Sequence, residues 1–174
     1  MNLPRGTPRE VLAAPHPILS TVAEPVDPTA PEVVAAAADL LATLREEPST
    51  TGLAAPQIGL SLRLIAFDVG LHPRSRSWAG ELVVANPRLA RASHWDHGRE
   101  GCASIAGLSA DVLRATRITV TGHLPGAGEA VTIEADAFEA RCIQHQLDHL
   151  DGLLFLDRVP GALSLHRRLH RCDA

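Results

Sequence analysis

Residues 137–150 constrain the fold of this 174-residue chain more than any other stretch. Read at the helical period, Phe138, Cys142, His145 and His149 share one face, whereas Ala140, Ile143, Leu147 and Leu150 form another that can bury apolar area. A helix with two faces to cover belongs in the middle of a domain, not on its surface. Asp136 with Glu139 has capping-box spacing and Gly152 is placed as a stop, so the helix is predicted from Ala137 to Leu150. His145 and His149 lie four residues apart, about one turn, and can bind the same ion. The pattern is that of HExxH metal helices, in which a glutamate after the first histidine is the general base for metal-activated water. Gln146 stands in the glutamate's place.

The remaining elements arrange themselves around that helix. Pro15, Pro17, Pro25 and Pro28 interrupt the first thirty residues, which are expected to wrap the domain as an extended arm. Thr29 and Glu32 have capping-box spacing, and Val33, Ala37, Leu40, Leu41 and Leu44 recur at helical period, predicting a helix that ends near Pro48. Leu62 to Val69 and Leu82 to Ala85 have strand character. Arg117 to Leu124 alternates into a turn at Pro125 to Gly128, and Ala130 to Glu134 returns as its antiparallel partner. The length suits one domain over residues 1–174, an α+β fold of mostly antiparallel sheet packed around a central metal-binding helix.

Composition removes several function classes. A net charge of -4 gives no footprint for DNA, and no apolar run approaches the length needed to cross a bilayer. The N-terminus has no apolar secretory core, so a cytoplasmic location is expected, and Cys102, Cys142 and Cys172 then read as free thiols or ligands. Two histidines leave a catalytic metal site one protein ligand short. Glu100-Gly101-Cys102-Ala103-Ser104 is the best source of the third, because a cysteine following glycine in a turn can approach an ion, and thiolate suits zinc or ferrous iron.

Three ordered motifs now stand out: Gly52-Leu53-Ala54-Ala55-Pro56-Gln57, Glu100-Gly101-Cys102-Ala103-Ser104, and Gln144-His145-Gln146-Leu147-Asp148-His149-Leu150-Asp151-Gly152. Together they resemble the peptide deformylase family, over about Val11 to Asp157. The resemblance implies an enzyme that removes the formyl group from the N-terminal formyl-methionine of nascent polypeptides, in bacterial protein biosynthesis. By that resemblance Cys102, His145 and His149 bind one divalent ion, natively Fe2+, with Zn2+ or Ni2+ as substitutes. Gln57 and the backbone N–H of Ala103 would bond the formyl oxygen as it gains charge, and Gly52, Leu53, Cys142 and Phe138 would meet the substrate, the last two lining an apolar pocket for methionine. Gln146 has no titratable group near neutral pH, so it cannot hand a proton to the leaving amine. Loss of that step costs about a hundred- to ten-thousand-fold in rate. The first motif begins Thr50-Thr51-Gly52 where the family has Gly-x-Gly, and Ala103 and Ala106 replace a usual leucine and a frequent proline.

Other residues carry weaker readings. Glu100 is either a solvated loop acid or a support for a ligand or an arginine. Asp148 is expected to be structural, with Arg114 as a partner. His94, Trp95, Asp96 and His97 are read as a surface loop. His166, Arg167, Arg168, His170 and Arg171 are read as a solvated helix face, the sharper alternative being weak docking to the ribosome. Two accounts of Gln146 remain open, a change introduced to trap substrate or a natural paralogue. So do two rival functions: a deformylase-fold binding protein, and an enzyme for another formyl or acyl amide.

Overall fold

The computed structural model describes residues 3–47 and 49–168. Two helices and six strands follow in the order α1 (Pro31–Glu46), β1 (Gly52–Ala54), β2 (Leu64–Phe67), β3 (Leu82–Cys102), β4 (Ile105–His123), β5 (Ala130–Asp136), α2 (Ala137–Leu150) and β6 (Leu165–Arg167). The strands form one antiparallel sheet in the order β1-β2-β3-β4-β5, with β6 added to β4. This is the α+β fold expected, with α2 where its two faces require it. No helix among the described residues is long and apolar enough to cross a membrane.

Period-two alternation decides which helix covers which face. In β2, Ile65 and Phe67 pack with Ala140, Ile143, Leu147 and Leu150 of α2, while Leu64 and Ala66 pack with Val33, Ala37, Leu40 and Leu44 of α1. In β3, Val84 joins the first group and Val83 and Ala85 the second. The sheet is therefore buried on both sides at this corner, which accounts for the unbroken apolar run seen there. Gln144 fixes α2 along the sheet, its amide exchanging bonds with the backbone N and O of Ala115 at 3.2 and 2.8 Å.

The first thirty residues do form an extended arm. Its backbone amides at Leu12, Ala14 and Ala23 donate to the carbonyls of Gln57, Ser104 and Leu150, each at 2.8 Å. Asn86 clasps the arm further on, bonding both the N and O of Val26.

Several local expectations are corrected. Ala30 precedes α1 and makes no side-chain cap; Pro31 at the first helical position has no N–H to offer, and the Thr29 hydroxyl donates to Asp27 at 2.8 Å instead. Asp136 does precede α2 but caps nothing, because the buried Glu139 carboxylate is taken by the Ser77 hydroxyl and the Ala79 amide. Residues 94–97 are not a loop. They lie in β3, where Trp95, Asp96 and His97 pair with Ala115, Arg114 and Leu113 of β4 in a long ribbon exposed along this part of β3 and mostly buried or half-buried along β4. Leu165–Arg167 form a strand, not a helix, since the sheet edge at Leu108–Ala110 supplies the hydrogen bonds. His170, Arg171 and Cys172 lie outside the described residues.

Candidate metal centre

Two separate elements bring three donors together. Cys102 is the last residue of β3 beside the two-residue turn Ala103-Ser104, and His145 and His149 project from successive turns of α2. One ligand atom from each lies within 4.8 Å of the other two, and all three residues are buried. Cys102 Sγ is 3.2 Å from His149 Nε2. A zinc ion bound tetrahedrally holds sulfur and nitrogen roughly 3.5 Å apart, given its usual bond lengths, so the pair needs to move only a few tenths of an ångström to share an ion. His145 bonds Glu100 through Nδ1 at 2.9 Å, which leaves its Nε2 for the centre. The donor set, one sulfur and two imidazoles, suits zinc or ferrous iron.

Electrostatics separates the two described thiols. Burial pushes the Cys102 thiol up, but hydrogen bonds and charge from His145 and His149 outweigh it and bring it down to about 5. Burial alone dominates at Cys142, which is pushed up to about 12. For His145 the desolvation that lowers its pKa loses to Cys102 and Glu100, which raise it to about 9. Glu100 is itself held at about 2: burial opposes ionisation, and hydrogen bonds from His145 and Arg114 overcome it. Glu100 is thus no solvated loop acid. It supports both a histidine and an arginine, and Arg114 continues from it to Asp148, which also accepts from Arg158 at 2.7 Å. The expected Arg114–Asp148 pair is present.

A cavity of about 310 Å³ opens over the centre. Gln57, Ala103, Gln146, Gly52, Phe138 and Cys142 all line it. Gln57 is oriented by its own turn: its Oε1 accepts from the Ala54 amide at 3.0 Å, so Nε2 faces Ser104 Oγ at 3.2 Å and Cys102 Sγ at 3.6 Å. Gly52 is needed for the close approach of β1 to α2. A Cβ there would stand 2.8 Å from Cys142 Sγ and 3.0 Å from Gln146 Nε2. Gln146 is buried, and its Oε1 has no hydrogen-bond partner among the described residues. Leu53 is set apart from the rest: its side chain is fully buried against α1, so only its backbone can face a ligand.

Sequence reading did not bring His72 or the arginines to this cavity. His72 stacks on the Phe138 ring with centroids 3.5 Å apart, Arg74 lies 5.3 Å over the same ring, and Arg99, Arg141 and Arg168 complete the lining. Of these, Arg168 reads in the sequence only as part of a basic tail, and Arg141 lies one turn before His145 in α2.

Comparison with known proteins supplies the family. The family model described as Polypeptide deformylase matches residues 8–163. A peptide deformylase of Acidothermus cellulolyticus is 43% identical over 143 residues, 82% of this chain and 74% of that one. One of Carboxydothermus hydrogenoformans is 35% identical over 86% of this chain and 92% of its own. Among solved structures, an Acinetobacter baumannii class I type b peptide deformylase bound to Met-Ala-Ser superposes with a TM-score of 0.78 at 29% identity, covering 88% of this chain and 99% of that one. With its whole central region matched and a Cys/His/His cluster in place, the chain belongs to the polypeptide deformylase family of divalent-metal hydrolases.

Proposed function

We propose that this chain hydrolyses the formyl group of N-formyl-methionyl peptides, slowly, with a divalent ion held by Cys102, His145 and His149. The native ion is Fe2+, for which Zn2+ or Ni2+ can substitute. The observation that carries the reading is the convergence of one sulfur and two imidazoles beside a cavity that Cys102, His145, Gln57 and Gln146 line. Once bound, the ion supplies a Lewis acid that acidifies water and polarises an acyl oxygen. The chain's own residues do the rest. The Gln57 amide N–H and the Ala103 backbone N–H donate to the formyl oxygen as negative charge gathers on it, and Phe138 and Cys142 offer apolar surface to the methionine side chain. Gln146 Oε1, an unpartnered acceptor, can receive a hydrogen bond from water or from the substrate amide. It has no proton to give, and an amine leaves only after gaining one.

Binding should therefore be retained while turnover suffers. Formyl-methionyl peptide hydrolysis by the iron, nickel and zinc forms, for this chain and for Gln146→Glu, tests the point. The variant should gain about a hundred- to ten-thousand-fold in kcat with little change in KM. Equal rates would show that proton transfer does not run through position 146. The buried amide also favours a second reading, a deformylase-fold protein that holds formylated ligands without hydrolysing them. Tight binding with negligible turnover in both forms would select it.

A further inference from the structure

The mouth of the cavity is cationic in a chain that is acidic overall. Sixteen basic side chains face 20 acidic ones in the sequence, yet Arg74, Arg99, Arg141 and Arg168 line the cavity beside Glu100 as its one acid. A second cavity of about 800 Å³ adjoins the first across Arg74, Phe138 and Arg141, and adds Arg76 and Arg117 against Asp96 and Asp136. Most of these charges are already engaged. Glu100 is held by Arg114, Arg141 and His145; Arg99 pairs with Asp111 at 2.8 Å, and Arg117 lies 4.0 Å from Asp136. Arg74, Arg76 and Arg168 have no carboxylate partner among the described residues.

Two of the arginines sit in places made for them. Arg141 donates to the carbonyls of Asp96, Gly98 and Val112, and a Cβ on Gly98 would stand 2.7 Å from its guanidinium. Arg168 is anchored by its amide to the Gly107 carbonyl, and a Cβ on Gly101 would stand 3.0 Å from its Nη1. Gly101 directly precedes Cys102, so the Arg168 charge lies against the backbone that delivers the sulfur.

We propose that this rim selects formylated peptides that carry a carboxylate within the few residues after the formylated one, with Arg74, Arg76 and Arg168 as the recognising groups. The inference rests on the deformylase reading and names the substrate class within it. An extended peptide advances about 3.3 Å per residue, so a chain leaving the first cavity comes abreast of the second within a few residues. Arginine forks fit phosphate as well as carboxylate, but a net charge of -4 repels a polyanion more strongly than a peptide that carries one carboxylate.

Four peptides test it on the zinc-loaded chain by calorimetry: formyl-Met-Ala-Ala, formyl-Met-Ala-Asp and formyl-Met-Ala-Lys as C-terminal amides, and formyl-Met-Ala-Ala with a free carboxylate. At low salt the aspartate amide or the free acid should bind about tenfold tighter than the neutral amide, and the lysine peptide more weakly than either. Which carboxylate gives the gain tells side chain from terminus. The gap should close toward about 0.5 M salt. In the triple variant Arg74→Gln, Arg76→Gln, Arg168→Gln all four should fall within about twofold of one another, and a preference for the acidic peptides that survives the three changes would overturn the assignment. Equal affinities on the unmodified chain would overturn the selection and leave the deformylase reading standing, whereas no binding by any peptide would overturn both. An RNA oligonucleotide that displaces the aspartate peptide at lower concentration than a matched acidic peptide would also overturn it.

Discussion

Cys142 and Cys102 are two buried cysteines that line one cavity, and their surroundings give them opposite chemistry. Cys142 meets the Thr51 carbonyl at 3.4 Å and the Thr51 hydroxyl at 3.7 Å, with Glu139 and Glu100 adding negative charge nearby. Its folded pKa is raised to about 12, so the thiol stays almost wholly protonated up to about pH 9. The expected outcome is that Cys142 resists iodoacetamide from pH 7 to about pH 9 and becomes reactive only when the chain unfolds, as peptide mass mapping would read. Alkylation of the folded protein whose rate climbs through pH 8.5, the ordinary thiol range, would contradict the assignment. Gln146 is the matching case among polar groups. Its buried Oε1 lacks a partner, and a buried polar group left so costs about 1–3 kcal/mol, a cost that a bound ligand can offset.

At the scale of elements, α2 is held by a chain of charges that crosses from β3 to the turn Phe155–Arg158: Glu100, Arg114, Asp148, Arg158. Arg114 is its centre, with a side chain only 5% exposed. Replacing it, as in Arg114→Leu, leaves two buried carboxylates with fewer donors and should cost about 3 kcal/mol, read as a lower urea midpoint at unchanged slope. A loss under about 1 kcal/mol would mean that Arg141 and Arg158 satisfy both acids without it. Both helices were legible in the sequence because periodicity over fourteen and sixteen residues is a strong signal. The Asp136 and Gly152 boundary signals placed α2 from about Ala137 to Leu150, as observed, although Asp136 makes no cap bond. The ribbon of β3 and β4 was not. From Leu89 to Arg99 its residues are almost all exposed on both faces, so no alternation marks them as strand. The capping boxes failed for a different reason: Asp27 and Ser77 compete for the same side chains through contacts that spacing alone does not reveal.

Across the whole molecule, the Cys/His/His cluster exists only because distant segments are tied together. The arm bonds Gln57, Ser104 and Leu150 through its own backbone, thereby joining the amide donor, the cysteine turn and the end of α2. The imidazole pair was readable from a four-residue spacing within one helix, and Cys102 from its glycine-preceded turn. The arginine rim was not, since Arg74, Arg99, Arg141 and Arg168 come from four separate places in the chain and meet only in the fold. The central claim is that one thiolate and two imidazoles share a single ion. X-ray absorption at the zinc edge of the loaded protein measures this directly. The expected spectrum has one sulfur at about 2.3 Å and two imidazole nitrogens at about 2.0–2.1 Å, with the sulfur shell lost in Cys102→Ser. A shell of nitrogen and oxygen alone in the unmodified chain, or a sulfur shell that persists in the variant, would contradict it.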